Sequence, residues 1–279
     1  MSQTTFTLVS LGSHSTQSLL DSVKASPIKD NLLYLGKCHH WIHQPHLSTA
    51  ALNGTGPQLQ QWDYLIITKT PNQPSLTNTV EKTWSITAAS SEDLIASLPS
   101  AKARRAAADP APLPPGWSPQ DHSALDAAIS PPDLELSLSG TSQPMGSTSD
   151  SPPLPLRDFI RTFGTSHPGP IAMFNLLSYL PEQRPRYLQY VAAFQESVGI
   201  KYGGEPVVLG FGVHDWSSRK EEEGKEEGGW EDTALIYYPS VWHFGKMADD
   251  EAYVEVDRKF KQGVLRDNPL MCCTEVEIE

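Results

Sequence analysis

The chain has 279 residues, 38% of them apolar, with 24 prolines and a net charge of -12. That length allows two ordinary domains, and the acid excess excludes a phosphate-neutralising nucleic-acid surface or a polybasic membrane patch. No run reaches the ~18–20 apolar residues that span a bilayer, the opening MSQTTFTLVSLGSH lacks the basic start of a secretory signal, and Cys38, Cys272 and Cys273 form no spaced framework, so a reducing, cytoplasmic setting is expected.

In chain order, Thr5–Leu11 alternates and reads as a strand. Ser13–Ala25 reads as a helix with Ser13 or Ser15 as cap and Leu19, Leu20 and Val23 as its apolar stripe. Asn31–Ile42 (NLLYLGKCHHWI) is a second strand, followed by an excursion with turn chemistry at Asn53-Gly54 and Gly56-Pro57. Asp63–Lys69 reads as a buried strand, Pro71–Ser75 breaks it, and Val80–Ala88 alternates again. A helix from Ser91 to about Ala108 has Glu92 and Asp93 at its positive end. The order matches a βαββαβ plan whose second helix is reduced to a loop or single turn.

Residues 109–155 are rich in proline and serine, a composition that does not offset ordering entropy with apolar burial, and read as a linker. A helical turn is expected near His122–Ile129, and Leu154–Phe163 reads as a lead-in helix.

From Pro170 a second βαββαβ unit follows. Ile171–Tyr179 is a strand, and Arg184–Tyr202 an amphipathic helix stopped by Gly203-Gly204. Glu205–Trp216 is a strand thinned by Gly210 and Gly212, and Ser217–Gly229 a charged, solvated insertion. Trp230–Tyr238 is a strand, Pro239-Ser240 starts a helix that breaks near Asp249-Asp250 and runs to about Gln262, and Leu270–Ile278 closes the unit. The expected architecture is α+β: ferredoxin-like domains at 1–108 (degenerate) and 156–279, joined by the 109–155 linker. Their antiparallel sheets pack as one α+β barrel within the chain, or pair in a homodimer.

The second half resembles the dimeric α+β barrel superfamily. The likeness rests on Asn175-Leu176-Leu177 ending the first strand, Tyr187 and Tyr190 on the helix, Gly203-Gly204, and Tyr238-Pro239-Ser240, with Tyr253 and Arg258 also in pattern. The whole chain, CHHWI included, is similar to fungal tandem-domain proteins without assigned activity. The resemblance implies sheet-to-sheet packing but no single reaction, since relatives include cofactor-free oxygenases, haem-degrading enzymes, cyclases and plain binding proteins.

Four constellations carry possible chemistry. In the cluster Cys38-His39-His40-Trp41-Ile42-His43, with His46 beyond, His39 and His43 share a strand face but stand roughly 13 Å apart, too far to chelate. No metal is expected there, and the stretch reads as presenting His and Trp to a half-polar barrel interior or an interface. Asn175 sits in an apolar strand with Met173 and Leu177 on its face and Phe174 and Leu176 on the other. Its amide is either satisfied by neighbouring backbone or faces a cavity under the helices. The resemblance implies that such an asparagine works beside a tryptophan and a histidine or tyrosine, which Trp242, His243 and Tyr187 would supply. His214 beside Asp215 is a poised acid–base or a solvated strand end. Tyr237, Tyr238, Ser240 and His243 form the densest polar-aromatic group, with Ser240 placed to cap a helix and no GxSxG elbow to activate it.

The expectation is a small-molecule (aromatic or polyketide-like) binding protein, extending to a cofactor-independent enzyme of secondary metabolism. Asn175, His243 and His214 are its candidate catalytic residues; Tyr187, Tyr238, Trp242 and Ser240 are its ligand contacts, and no cofactor is implied. The alternatives are a non-catalytic scaffold, and a haem-binding or haem-degrading protein with a histidine over a large apolar cavity.

Overall fold

The computed structural model describes residues 1–47, 52, 60–69, 76, 78–145, 152–215 and 229–278. The first half contains β1 (Ser2–Ser10), α1 (Thr16–Ala25), α2 (Ile28–Asn31), β2 (Leu32–His43), β3 (Tyr64–Thr68), β4 (Lys82–Ser90) and α3 (Glu92–Ala107). A connecting strap carries α4 (Ser123–Ala127), β5 (Thr141–Pro144) and β6 (Leu154–Pro155). The second half contains α5 (Leu156–Ser166), β7 (Ile171–Tyr179), α6 (Arg184–Phe194), β8 (Glu205–Asp215), β9 (Asp232–Tyr238), α7 (Val241–Ala248), α8 (Glu251–Val256), β10 (Leu265–Asp267) and β11 (Leu270–Glu275).

Local chemistry sets the helix ends. Ser15, Ser91, Ser240 and Asp250 cap α1, α3, α7 and α8 by accepting from the backbone N–H of Ser18, Leu94, His243 and Ala252. Helix α6 continues through a π turn (Gln195–Gly199) and a 3-10 turn (Ile200–Tyr202) to Gly203, whose φ of 70° is the left-handed stop that glycine adopts without strain.

Both halves order their strands alike. The first runs β4-β1-β3-β2 and the second β11-β7-β9-β8, with all pairs antiparallel. This is the ferredoxin-like order, fourth strand beside first, first beside third, third beside second. The pairs β4–β8 and β2–β11 join the two sheets, so eight strands close into an α+β barrel within one chain. Closure removes the open edges that each four-stranded sheet would otherwise expose. At Gly210 of β8 the neighbouring strands leave no room for a side chain: a Cβ there would lie 2.7 Å from both Ala88 Cβ of β4 and Thr233 Cγ2 of β9.

The barrel interior is apolar, packed by Phe6, Leu8, Trp41, Trp84, Phe174, Leu235 and Met271. Phe6 and Phe174 stack across it with centroids 6.1 Å apart. Each such buried side chain stabilises the fold by about 1.5–3 kcal/mol. Of the two settings expected for this stretch, the half-polar interior is corrected: Trp41 points in, but His39 and His40 pack instead against Phe163 and Phe159 of α5, at the contact between the halves. Alternation splits the adjacent cysteines as expected. Cys273 lies inside, its Sγ 3.9 Å from that of Cys38 on the neighbouring strand, and Cys272 packs outside under the helices. All three thiols are free, and burial pushes those of Cys38 and Cys272 up.

The strap also corrects the expectation. Trp117, Leu125, Leu134, Leu136 and Leu138 are all buried in the cluster formed by α5, α6, α7 and α8. Judged by composition alone the segment could not order itself; the outer face of the second half supplies the apolar partner it lacks. The expected turns at Asn53-Gly54 and Gly56-Pro57, the breaker Pro71–Ser75, and nearly all of the charged insertion lie outside the described residues.

Candidate functional site

A cavity of about 210 Å³ lies on the outer face of the second half-sheet, beneath α6 and α8. Strand β7 contributes Met173, Asn175 and Leu177, the face expected from parity, while Phe174 and Leu176 point into the barrel. Strand β9 adds Ala234, Ile236 and Tyr238, and α6 adds Tyr187, Tyr190, Val191 and Phe194. Tyr253 of α8, with Lys261 from the π turn that continues it (Asp257–Lys261), closes the far side. The wall is largely hydrocarbon and ring edge, with few polar groups.

The candidates divide between this cavity and other places. Asn175, Tyr187 and Tyr238 come together in it. The Asn175 amide donates to the Met173 carbonyl at 3.1 Å, the local satisfaction that an amide in an apolar strand needs. Burial pushes the Tyr187 and Tyr238 hydroxyls up, so both are neutral donors.

His243, Trp242, Ser240 and His214 lie elsewhere. His243 donates from Nε2 to the Ala111 carbonyl at 2.6 Å and accepts at Nδ1 from Ser240 Oγ at 2.8 Å. It clamps the strap to α7. Burial lowers its pKa, with the Ala111 carbonyl opposing. Ser240 is the helix cap. Trp242 is buried against α5, where a Cβ on Gly164 would lie 2.5 Å from its Nε1. His214 stands exposed at the β4–β8 seam, in register with Thr87. These four therefore do not share a chamber with Asn175.

Two polar residues that strand and helix patterns alone do not single out do reach the cavity, His43 and Lys261. Strand β2 carries two bulges against β11: Cys272 and Cys273 pair with His40 and Cys38, and Leu270 and Met271 pair with His43 and Trp41. Each inserts one residue, shifting the pleat so that His40, Ile42 and His43 all lie outside the barrel. His43 hydrogen-bonds the Asn268 backbone, and burial, with Lys261 adding to it, lowers its pKa to about 4. Lys261 follows Tyr253 and Asp257 at i+8 and i+4, the buried phase of a helix; a lysine in that phase is the signal that marks it.

The remaining histidines of the cluster pack rather than ligate. His39 Nε2 meets Thr274 Oγ1 at 2.8 Å, His40 Nε2 meets Ser142 Oγ at 2.8 Å, and His40 stacks on Phe159 at 4.1 Å. Burial lowers the pKa of each to about 4. Among the described residues no group of three or more His, Cys, Asp or Glu could hold a metal ion. An ion pair also borders the cavity: Asp232, nearly buried, accepts from Arg184 Nε at 2.8 Å and from the Tyr179 hydroxyl at 2.9 Å, which fixes the start of α6 to β9. Among the described residues no helix is long and apolar enough to cross a membrane.

No protein-family model matches the chain, and no curated protein matches it. Three solved structures are similar to it. A protein of unknown function from Rhodopseudomonas palustris is 24% identical, over 40% of this chain and 85% of that one, with a TM-score of 0.32. A structure of that same protein in methylated form gives 26% identity, over 39% and 82%, with a TM-score of 0.30. A proposed monooxygenase from Lactobacillus acidophilus is 6% identical, over 99% and 94%, with a TM-score of 0.45. At these scores none bears on what the chain does; the α+β barrel rests on its own strand pairing.

Proposed function

We propose that the chain binds a small aromatic molecule in the cavity between β7, β9, α6 and α8. The observation that carries this reading is a tyrosine-lined apolar cavity into which a few polar groups (Asn175, His43 and Lys261) converge. Its size limits the ligand. At about 210 Å³ it is little larger than the ~150 Å³ apolar cavity that holds one benzene, which favours one or two rings over an extended polyketide. A haem is disfavoured on the same ground, and His243, with both ring nitrogens engaged, is not available to ligate one.

The reading extends to cofactor-independent chemistry on such a ligand, of the kind found in fungal secondary metabolism. In it His43, held neutral, takes the place first given to His243 as a hydrogen-bonding partner of the ligand, and Asn175 donates to an enolate or phenolate oxygen. Binding is tested by thermal shift against a panel of one- and two-ring aromatics, for the wild type and Ala234→Phe. The added ring fills the cavity beside Asn175, so ligands that stabilise the wild type are expected to leave the variant unmoved. Equal stabilisation of both proteins would place the ligand elsewhere, and no stabilised hit would favour a scaffold.

A further inference from the structure

Lys261 is anomalous in this cavity. Its side chain is 7% exposed in a chain of net charge -12, and a buried ammonium costs several kcal/mol unless it is paired. Its carboxylate partner is Glu135 of the strap, at 3.4 Å, which is 29% exposed. That separation is long for a charge-assisted contact, whose usual range is ~2.7–2.9 Å. The ammonium also sits 5.3 Å from the Tyr190 ring centroid, and the Tyr187 and Tyr238 side chains are within its electrostatic reach. Burial, the largest influence, pulls it toward neutrality, but Glu135, Tyr187 and Asp257 together outweigh that and keep its pKa above the ordinary lysine value.

Position completes the picture. Beside the aromatic cavity opens a second, polar cleft of about 710 Å³, lined by Glu135 among others. Lys261, His43 and Asn268 line both spaces. The lysine therefore stands at the partition, with rings on one side and a strap carboxylate on the other.

We infer that the ligand is an aromatic acid whose ring occupies the tyrosine-lined cavity and whose carboxylate pairs with Lys261, displacing Glu135. Glu135 is then the internal stand-in that keeps the ammonium paired when the cavity holds no ligand. The ligand's carboxylate gains the Lys261 ammonium and the neutral Tyr187 and Tyr238 hydroxyls as donors. Glu135 moves into the polar cleft, where water solvates it. This inference rests on the reading of the cavity as a ligand site.

The test is isothermal titration of the full chain with two matched pairs, benzoate against benzamide and 1-naphthoate against 1-naphthamide. The wild type is expected to bind the acids about tenfold or more tighter than the amides, as a charge-assisted hydrogen bond warrants. Lys261→Met should abolish that preference while leaving amide binding. Glu135→Gln should tighten acid binding several-fold, with amide binding unchanged, because the competing carboxylate is gone. Acid and amide binding alike in the wild type would overturn the inference and leave the cavity reading standing. So would a preference that survives Lys261→Met, or acid binding unaffected by Glu135→Gln. If no aromatic of either kind binds, the cavity reading falls as well.

Discussion

The two half-sheets share one strand order but carry unlike layers on their outer faces. On the first, α1 lays Leu19 and Val23 onto Val9, Leu35, Tyr64 and Ile66 in a compact cluster. On the second, α5, α6, α7, α8 and the strap build a much broader layer, and the tyrosine-lined cavity lies within it. The sheet plan therefore does not make the site. The site comes from what is laid over the sheet: a helix continued by a π turn, a second helix doing the same, and a strap that brings Glu135 to Lys261. Between the layers, the barrel interior is shared by both halves.

That division is open to test. The largest effect is expected at the shared interior. Phe174→Ala removes a fully buried ring stacked on Phe6 and should cost about 4 kcal/mol in urea unfolding. Because strands of both halves meet there, circular dichroism and tryptophan fluorescence should still report one transition. Two separated transitions would show that the halves fold independently.

A smaller, one-sided effect is expected from Trp117→Ala. Trp117 is 2% exposed, packs near Gly245 and Ile160, and has Lys246 5.3 Å from its ring. Its loss should cost about 3 kcal/mol and leave the strap open to limited proteolysis between residues 109 and 140 while the barrel resists. A strap as resistant as in the wild type would refute its anchoring through this residue.

The smallest effect concerns acid. The folded pKa of His43, about 4, lies below the ordinary 6.5, so the unfolded chain takes up the proton first as pH falls. Stability is then full above about pH 6.5, declines between 6.5 and 4, and levels off below. At pH 5.5 the His43 contribution to that decline is about 1 kcal/mol. Urea unfolding at pH 7.5 and 5.5 should show a drop smaller by that amount in His43→Gln than in the wild type. Equal drops would show that His43 is not held neutral in the second half's outer layer.

Much of this protein was written locally in its sequence. Period-two alternation sent Asn175 outward and Phe174 inward, Ser15, Ser91 and Ser240 marked helix starts, and Gly203 marked a stop, because each depends on contacts within a few residues. Tyr187 and Tyr238 reached the cavity by the same local logic. The tertiary structure alone decided the rest. His43 enters the cavity through bulges set by register with β11, more than 220 residues along the chain, and no pattern within β2 encodes them. His243 became a clamp because a distant carbonyl, Ala111, met its ring. The proline-rich strap ordered itself because the second half offered an apolar face to cover. Local propensity fixes the elements and the direction in which side chains leave them, whereas register and partner surfaces, which are long-range, fix which of those side chains meet.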